Sequence, residues 1–147
     1  MQVGLIYGTP PSWPVGFEKN PLSNNMAGLS LWLPSSPNAQ SRQFVAAYKK
    51  KYGNVTEEYM APLAYVNLKT LAAAINKAGS TDKDKVAAEL AKTNVPTPFG
   101  PLTFTKSLKT QYQGFKTGSW LSFQYIRDDR VPVFPLKFAK KTTVWSK

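Results

Sequence analysis

The sequence predicts an α/β unit, in which strands are mixed with flanking helices, and three observations predict it. Short apolar runs at residues 2–7, 28–33, 119–126 and 131–134 have the length of strands and are bounded by Pro and Gly. Between them, residues 38–93 carry apolar side chains at helical spacing in three successive stretches. Proline and glycine fall at the joints between these stretches and seldom within them.

In chain order, Gln2 to Tyr7 reads as a short buried strand closed by Gly8, and Pro10, Pro11 and Pro14 make the segment to Asn25 a loop. Gly28 to Leu33 is the second strand, with Leu29, Leu31 and Leu33 on one face, and Pro34 and Pro37 end it. Asn38 caps a helix running to about Tyr52, with Phe44, Tyr48 and Tyr52 at i, i+4 and i+8 and Val45 widening the stripe; Gly53 stops it. The next helix is the clearest element. Ala64, Leu68, Leu71, Ile75 and Ala78 follow helical spacing without a break, Pro62 lies in its first turn and Gly79 supplies a left-handed stop. A third helix runs from about Asp82 to Thr93, capped by Ser80 or Thr81, with Val86 and Leu90 facing inward. Pro101 to Phe104 is a short strand, and Thr105 to Thr117 reads as polar loop. Ser119 to Ile126 alternates as a strand with Leu121, Phe123 and Tyr125 on one face; Arg127 to Arg130 turns the chain, and Val131 to Phe134 returns beside it.

Composition narrows the chemistry. The 147 residues contain neither cysteine nor histidine, so disulfides, thiol chemistry, the commonest general base and the commonest soft metal ligands are all excluded. The eight acids form no catalytic set: Glu57 and Glu58 are adjacent and diverge on a helix, Asp82 and Asp84 suit a helix start, and Asp128 and Asp129 suit a turn. No lysine sits in an apolar run that would lower its pKa into the nucleophilic range. The expectation is a binding protein, not an enzyme, with no cofactor and no metal. The start of the chain lacks the basic residues and apolar run of a signal peptide.

The net charge of +11 leaves a different function open, a basic module binding nucleic acid or an anionic surface through lysines and exposed aromatics. Its lysines are mostly dispersed, and the longest basic run, Lys49 to Lys51, lies at a helix end where cations complement the dipole. Nucleic acid is therefore not the expected partner. Thr9 to Pro14 also has the spacing of a polyproline ligand, although one such match among twelve prolines carries little.

Several segments, in this order, resemble the C-terminal portion of the type I periplasmic solute-binding proteins of branched-chain amino acid ABC transporters. Leu5-Ile-Tyr-Gly8 and the loop after it are similar to a late strand of the second lobe and its ligand-side loop, and Ala27 to Pro34 to the strand that leads to the interlobe crossing. Phe44 to Gly53 resembles the family's phenylalanine-tyrosine-tyrosine-glycine helix, and Ala64-Tyr65 with Leu71 to Ser80 the long helix that ends in alanine-glycine. Phe99 to Phe104 is similar to the short glycine-containing strand, and Phe123 to Tyr125 with Val131 to Pro135 to the closing hairpin. Two departures stand out: Thr105 to Leu108 replaces the usual acid and glycine, and the turn near Asp129 lacks its glycine.

The resemblance implies the C-terminal part of a two-lobed fold with parallel-type strands and flanking helices. Residues 1–34 and 131–147 would belong to lobe two and residues 38–126 to lobe one, so that residues 1–147 form a single incomplete unit. It also implies a periplasmic or extracytoplasmic protein that captures a branched-chain amino acid or a similar small amino acid, amide or organic acid in the interlobe cleft. The permease of the transporter and the N-terminal part of the same protein would be its partners. By position, Trp13 and Glu18 would lie in the ligand-side loop, and Tyr59 and Met60 near a cleft aromatic. The residues alone allow plainer readings, an exposed loop for the first pair and a hydrophobic staple or core for the second.

Overall fold

The computed structural model describes residues 20–54, 59–107, 110–115, 121–127 and 129–141. The expected first strand, at residues 2–7, lies outside them. Two three-stranded sheets and three helices make up the rest. Strands β1 (Ala27–Ser30), β5 (Leu121–Ile126) and β6 (Asp129–Phe134) form one sheet in the order β1-β5-β6, and β2 (Asn94–Thr97), β3 (Gly100–Ser107) and β4 (Thr110–Phe115) form the other. Helices α1 (Ala39–Tyr52), α2 (Met60–Ala78) and α3 (Lys83–Ala91) follow β1 consecutively.

Each helix carries its stop and start in the sequence. The Asn38 side chain accepts a hydrogen bond from the Ser41 amide at 2.7 Å, the N-cap expected of it. Gly53 and Gly79 end α1 and α2 at φ of 81° and 56°, where a Cβ would be strained. The cap of α3 is Asp82, whose carboxylate accepts from the amides of Asp84 and Lys85, both at 3.1 Å; Ser80 instead bonds the Asp82 amide. An acid at the positive end of a helix satisfies two orphan amides at once, which neither Ser80 nor Thr81 does.

The packing divides between two consecutive residues. Trp32, fully buried, joins Phe44 of α1, Val66 of α2, Phe99 and Leu102 in one cluster, while the next residue, Leu33, joins Leu121, Phe123 and Tyr125 in another. The Trp32 indole meets the Phe44 ring edge-on at 5.8 Å and donates from Nε1 to Ser41 Oγ at 2.8 Å, so its one polar atom is satisfied. Asn38 Nδ2 donates to the Pro98 carbonyl at 2.7 Å and ties the start of α1 to the β2–β3 turn. Gly28 faces Phe123 across the β1–β5 pairing, and a Cβ there would lie 2.7 Å from the ring.

Several expectations are corrected. Every strand pairing among the described residues is antiparallel, not parallel. Parallel neighbours need a crossover of a dozen residues or more, whereas β2–β3 and β5–β6 are joined by two residues each. Strand β1 ends at Ser30, whose hydroxyl donates to the Trp32 carbonyl at 2.7 Å and turns the chain; Trp32 and Leu33 are buried in place of a Leu29-Leu31-Leu33 face. The segment read as polar loop after Phe104 instead pairs β3 with β4 from Leu102↔Phe115 to Ser107↔Thr110. Strand β2, unexpected because of Pro96, is an edge strand, where a missing amide is tolerated. The helical spacing that marks α2 does not mark its buried face: Leu68 is 70% exposed and Leu71 43%, while Pro62, Val66 and Ala74 are buried.

Candidate ligand-binding site

Of the four residues expected at a ligand, two are described. Tyr59 stands at the N-cap of α2 without a side-chain cap bond, and its carbonyl accepts from the Leu63 amide at 3.1 Å. Its ring is half-buried against the cluster of Trp32, Phe44 and Val66, so its visible role is packing. Met60, one residue on, is 47% exposed and presents a soft apolar surface at the start of the helix. Trp13 and Glu18 lie outside the described residues.

The described residues enclose a concavity that periodicity alone did not reveal. A groove of about 710 Å³ runs between α1 and α2 and ends against Pro96 to Pro98 of the β2–β3 hairpin. Its wall is a row of aromatic rings: Phe44 lies 5.6 Å from Tyr48 and 5.5 Å from Tyr65, and Tyr48 lies 4.6 Å from Tyr52. Phe44, Tyr48 and Tyr52 have the spacing of a core stripe, yet only Phe44 is buried, and Tyr52 is 59% exposed. Tyr65 is 46% exposed and lies against Phe44 across the groove, with 5.5 Å between ring centroids.

Lysines line the rim. Lys69 Nζ donates to the Tyr65 hydroxyl at 3.2 Å and sits 5.2 Å from that ring, and Lys51 lies 5.3 Å from the Tyr52 ring. Such cations over rings favour an anionic or aromatic neighbour. The one carboxylate among the described residues that line the groove, Glu89, is already engaged by Lys92 at 2.6 Å. Neither Tyr59 nor Met60 lines it.

Among the described residues no group of acids is placed to hold a metal ion, and no helix is long and apolar enough to cross a membrane.

The model of the periplasmic binding protein family matches residues 13–120. Solved structures share the fold. A leucine-binding protein of Thermotoga maritima is 21% identical with a TM-score of 0.61, over 77% of this chain and 31% of its own. A putative branched-chain amino acid ABC transporter protein of Silicibacter pomeroyi is 18% identical with a TM-score of 0.68, over 95% of this chain and 39% of its own. A solute-binding protein of an ABC transporter of R. palustris, in complex with benzoate, is 16% identical with a TM-score of 0.64, over 80% and 32%. No curated protein is similar enough in sequence to count as a relative. The chain thus spans about a third of the length of the solved proteins it resembles. With the family model covering β1, all three helices and the whole β2-β3-β4 sheet, the chain belongs to the periplasmic binding protein family.

Proposed function

We propose that this chain supplies the C-terminal part of the solute-binding component of an ABC transporter, which captures a branched-chain amino acid or a similar small amino acid, amide or organic acid. The observation that carries it is the family match over residues 13–120, which spans both the expected ligand-side loop and the α2 start. Capture between two lobes requires no bond to be broken: hinge closure buries the ligand, and hydrogen bonds to its charged groups are strengthened as water leaves. In this reading Trp13 and Glu18 approach the ligand from the loop, Glu18 opposite an ammonium group, and Met60 supplies apolar surface at the cleft edge. Tyr59 stiffens the α2 start from behind. The protein works outside the cytoplasm with the transporter's permease, and the remaining part of the two-lobed fold completes the cleft. It is a binding protein and not a catalyst.

Isothermal titration with leucine and with benzoate, on the protein as isolated from its source, tests the reading. Saturable one-site binding that changes little between low and high salt is expected. Silence with both, together with oligonucleotide binding that weakens steeply with salt, would replace it with the basic-module reading.

A further inference from the structure

The sequence leaves the groove between α1 and α2 open and sets the same two chemical groups on each of its sides. Alanines line it from both helices, Ala47 on α1 and Ala61, Ala73 and Ala74 on α2, and their methyl groups leave the space between the backbones unfilled. On α1, the exposed Lys51 ammonium lies 5.3 Å from the Tyr52 ring. On α2, Tyr65 and Lys69 are one turn apart, and the exposed Lys69 Nζ donates to the Tyr65 hydroxyl at 3.2 Å while lying 5.2 Å from that ring. Each helix therefore presents an exposed phenol beside an exposed ammonium group, and the rings of Phe44 and Tyr48 connect the two pairs. Lys77 adds a third ammonium to the lining, and Glu89 is neutralised by Lys92, so the described lining has an excess of positive charge.

We infer that this groove is a second binding site, which takes a small planar aromatic carboxylate and is separate from Tyr59 and Met60. The inference goes beyond the solute-capture reading and does not depend on it. At about 710 Å³ the groove falls within the range of roughly 300–1,000 Å³ typical of small-molecule sites. Rings and charge select the ligand class together. A bare anion such as phosphate would leave the aromatic wall against water, and an uncharged ring compound would leave the ammonium groups without a counter-charge. An aromatic carboxylate uses both: its ring packs on Tyr65 or Tyr52, and its carboxylate accepts from the lysine held beside that ring. Leucine is disfavoured here, since it brings a further ammonium group to a cationic rim and no ring to the wall.

The test is a titration of 1-naphthoate, followed by its own fluorescence anisotropy at low salt, into the protein as its source produces it. Saturable binding is expected. Combining Lys51→Met with Lys69→Met should weaken it by about fivefold or more, whereas Lys51→Arg with Lys69→Arg keeps the charge and should stay within about twofold. Tyr65→Leu should weaken it by about threefold through the lost ring contact. Lys83→Met is the control, because that side chain is 88% exposed and does not line the groove. Lys51 and Lys69 are exposed, so their exchange reads the site even where Tyr65→Leu disturbs the packing on Phe44. No saturable binding, or equal affinity in the paired Met and paired Arg variants, would overturn the inference. Equal affinity for the uncharged 1-naphthalenemethanol would overturn it as well, and so would displacement of the probe by leucine. Naphthoate binding that depends on the lysines, with no response to leucine, would remove the solute-capture reading and leave this site standing; the reverse pattern would remove only this site.

Discussion

Strand β5 and helix α2 obey the same sequence rule with opposite results. In β5 the alternation that places Leu121, Phe123 and Tyr125 on one face is realised, and all three are at most 5% exposed beneath β1, Leu33 and the segment after β6. In α2 the periodicity that collects Leu68, Leu71 and Ile75 is equally clean, but its centre is open to solvent. Periodicity identifies a face that needs a partner, and only the rest of the fold decides where that partner is. For β5 the partner is within the chain. For α2 it is not among the described residues.

The contrast can be pressed by mutation, beginning where the loss should be largest. Phe123→Ala opens a cavity at a fully buried ring and should lower unfolding free energy by about 3–5 kcal/mol in urea titration. If the closed face of β5 is as tightly filled as described, Gly28→Ala should cost about 1–3 kcal/mol, because its Cβ would lie 2.7 Å from the Phe123 ring. Adding Phe123→Leu should recover part of that loss, and a double mutant no better than the sum of the singles would refute the contact. Asn38→Ala removes both the cap of α1 and the bond to Pro98, for an expected loss of about 0.5–2 kcal/mol. The smallest change is expected on the open stripe: Leu68→Ala should move the isolated chain's stability by no more than about 0.5 kcal/mol. A Leu68→Ala loss as large as that of Phe123→Ala would show that the stripe is buried in the chain itself and would erase the contrast.

Much of the fold was legible because its signals are local. Asn38, Gly53, Pro62 and Gly79 act on the backbone within a few residues, and the helices begin and end within two residues of where these place them. The β5–β6 hairpin was legible from alternation, although Arg127 takes the left-handed turn position at φ 49° where a glycine would be unstrained. What was not legible depended on distant partners. Strand β2 exists through its pairing of Val95 with Leu102, which outweighs the poor strand propensity of Pro96 at an edge. Gln124, on the side of β5 opposite Leu121, Phe123 and Tyr125, is fully buried, and its amide donates to the Asn25 carbonyl at 2.8 Å, a tie across 99 positions. The aromatic groove was hidden for a similar reason: the Phe44-Tyr48-Tyr52 spacing marks a stripe, but the distance between α1 and α2 decides whether it is core or wall. Of the proposed ligand contacts, Met60 lies at the exposed start of α2 and Tyr59 packs on the Trp32 cluster; the sequence places both near that start, and no local signal separates a ring that packs from one that meets a ligand.

The central claim is that these residues act as one part of a larger two-lobed binder, and the intact mass of the protein from its source tests it most directly. Mass spectrometry after capture with an antibody to α3 should give a polypeptide, or a tightly associated pair, of more than twice 16.3 kDa. A mass of 16.3 kDa with no companion polypeptide would contradict the account, because α2 would then keep its apolar stripe in water and the cleft would have only one wall.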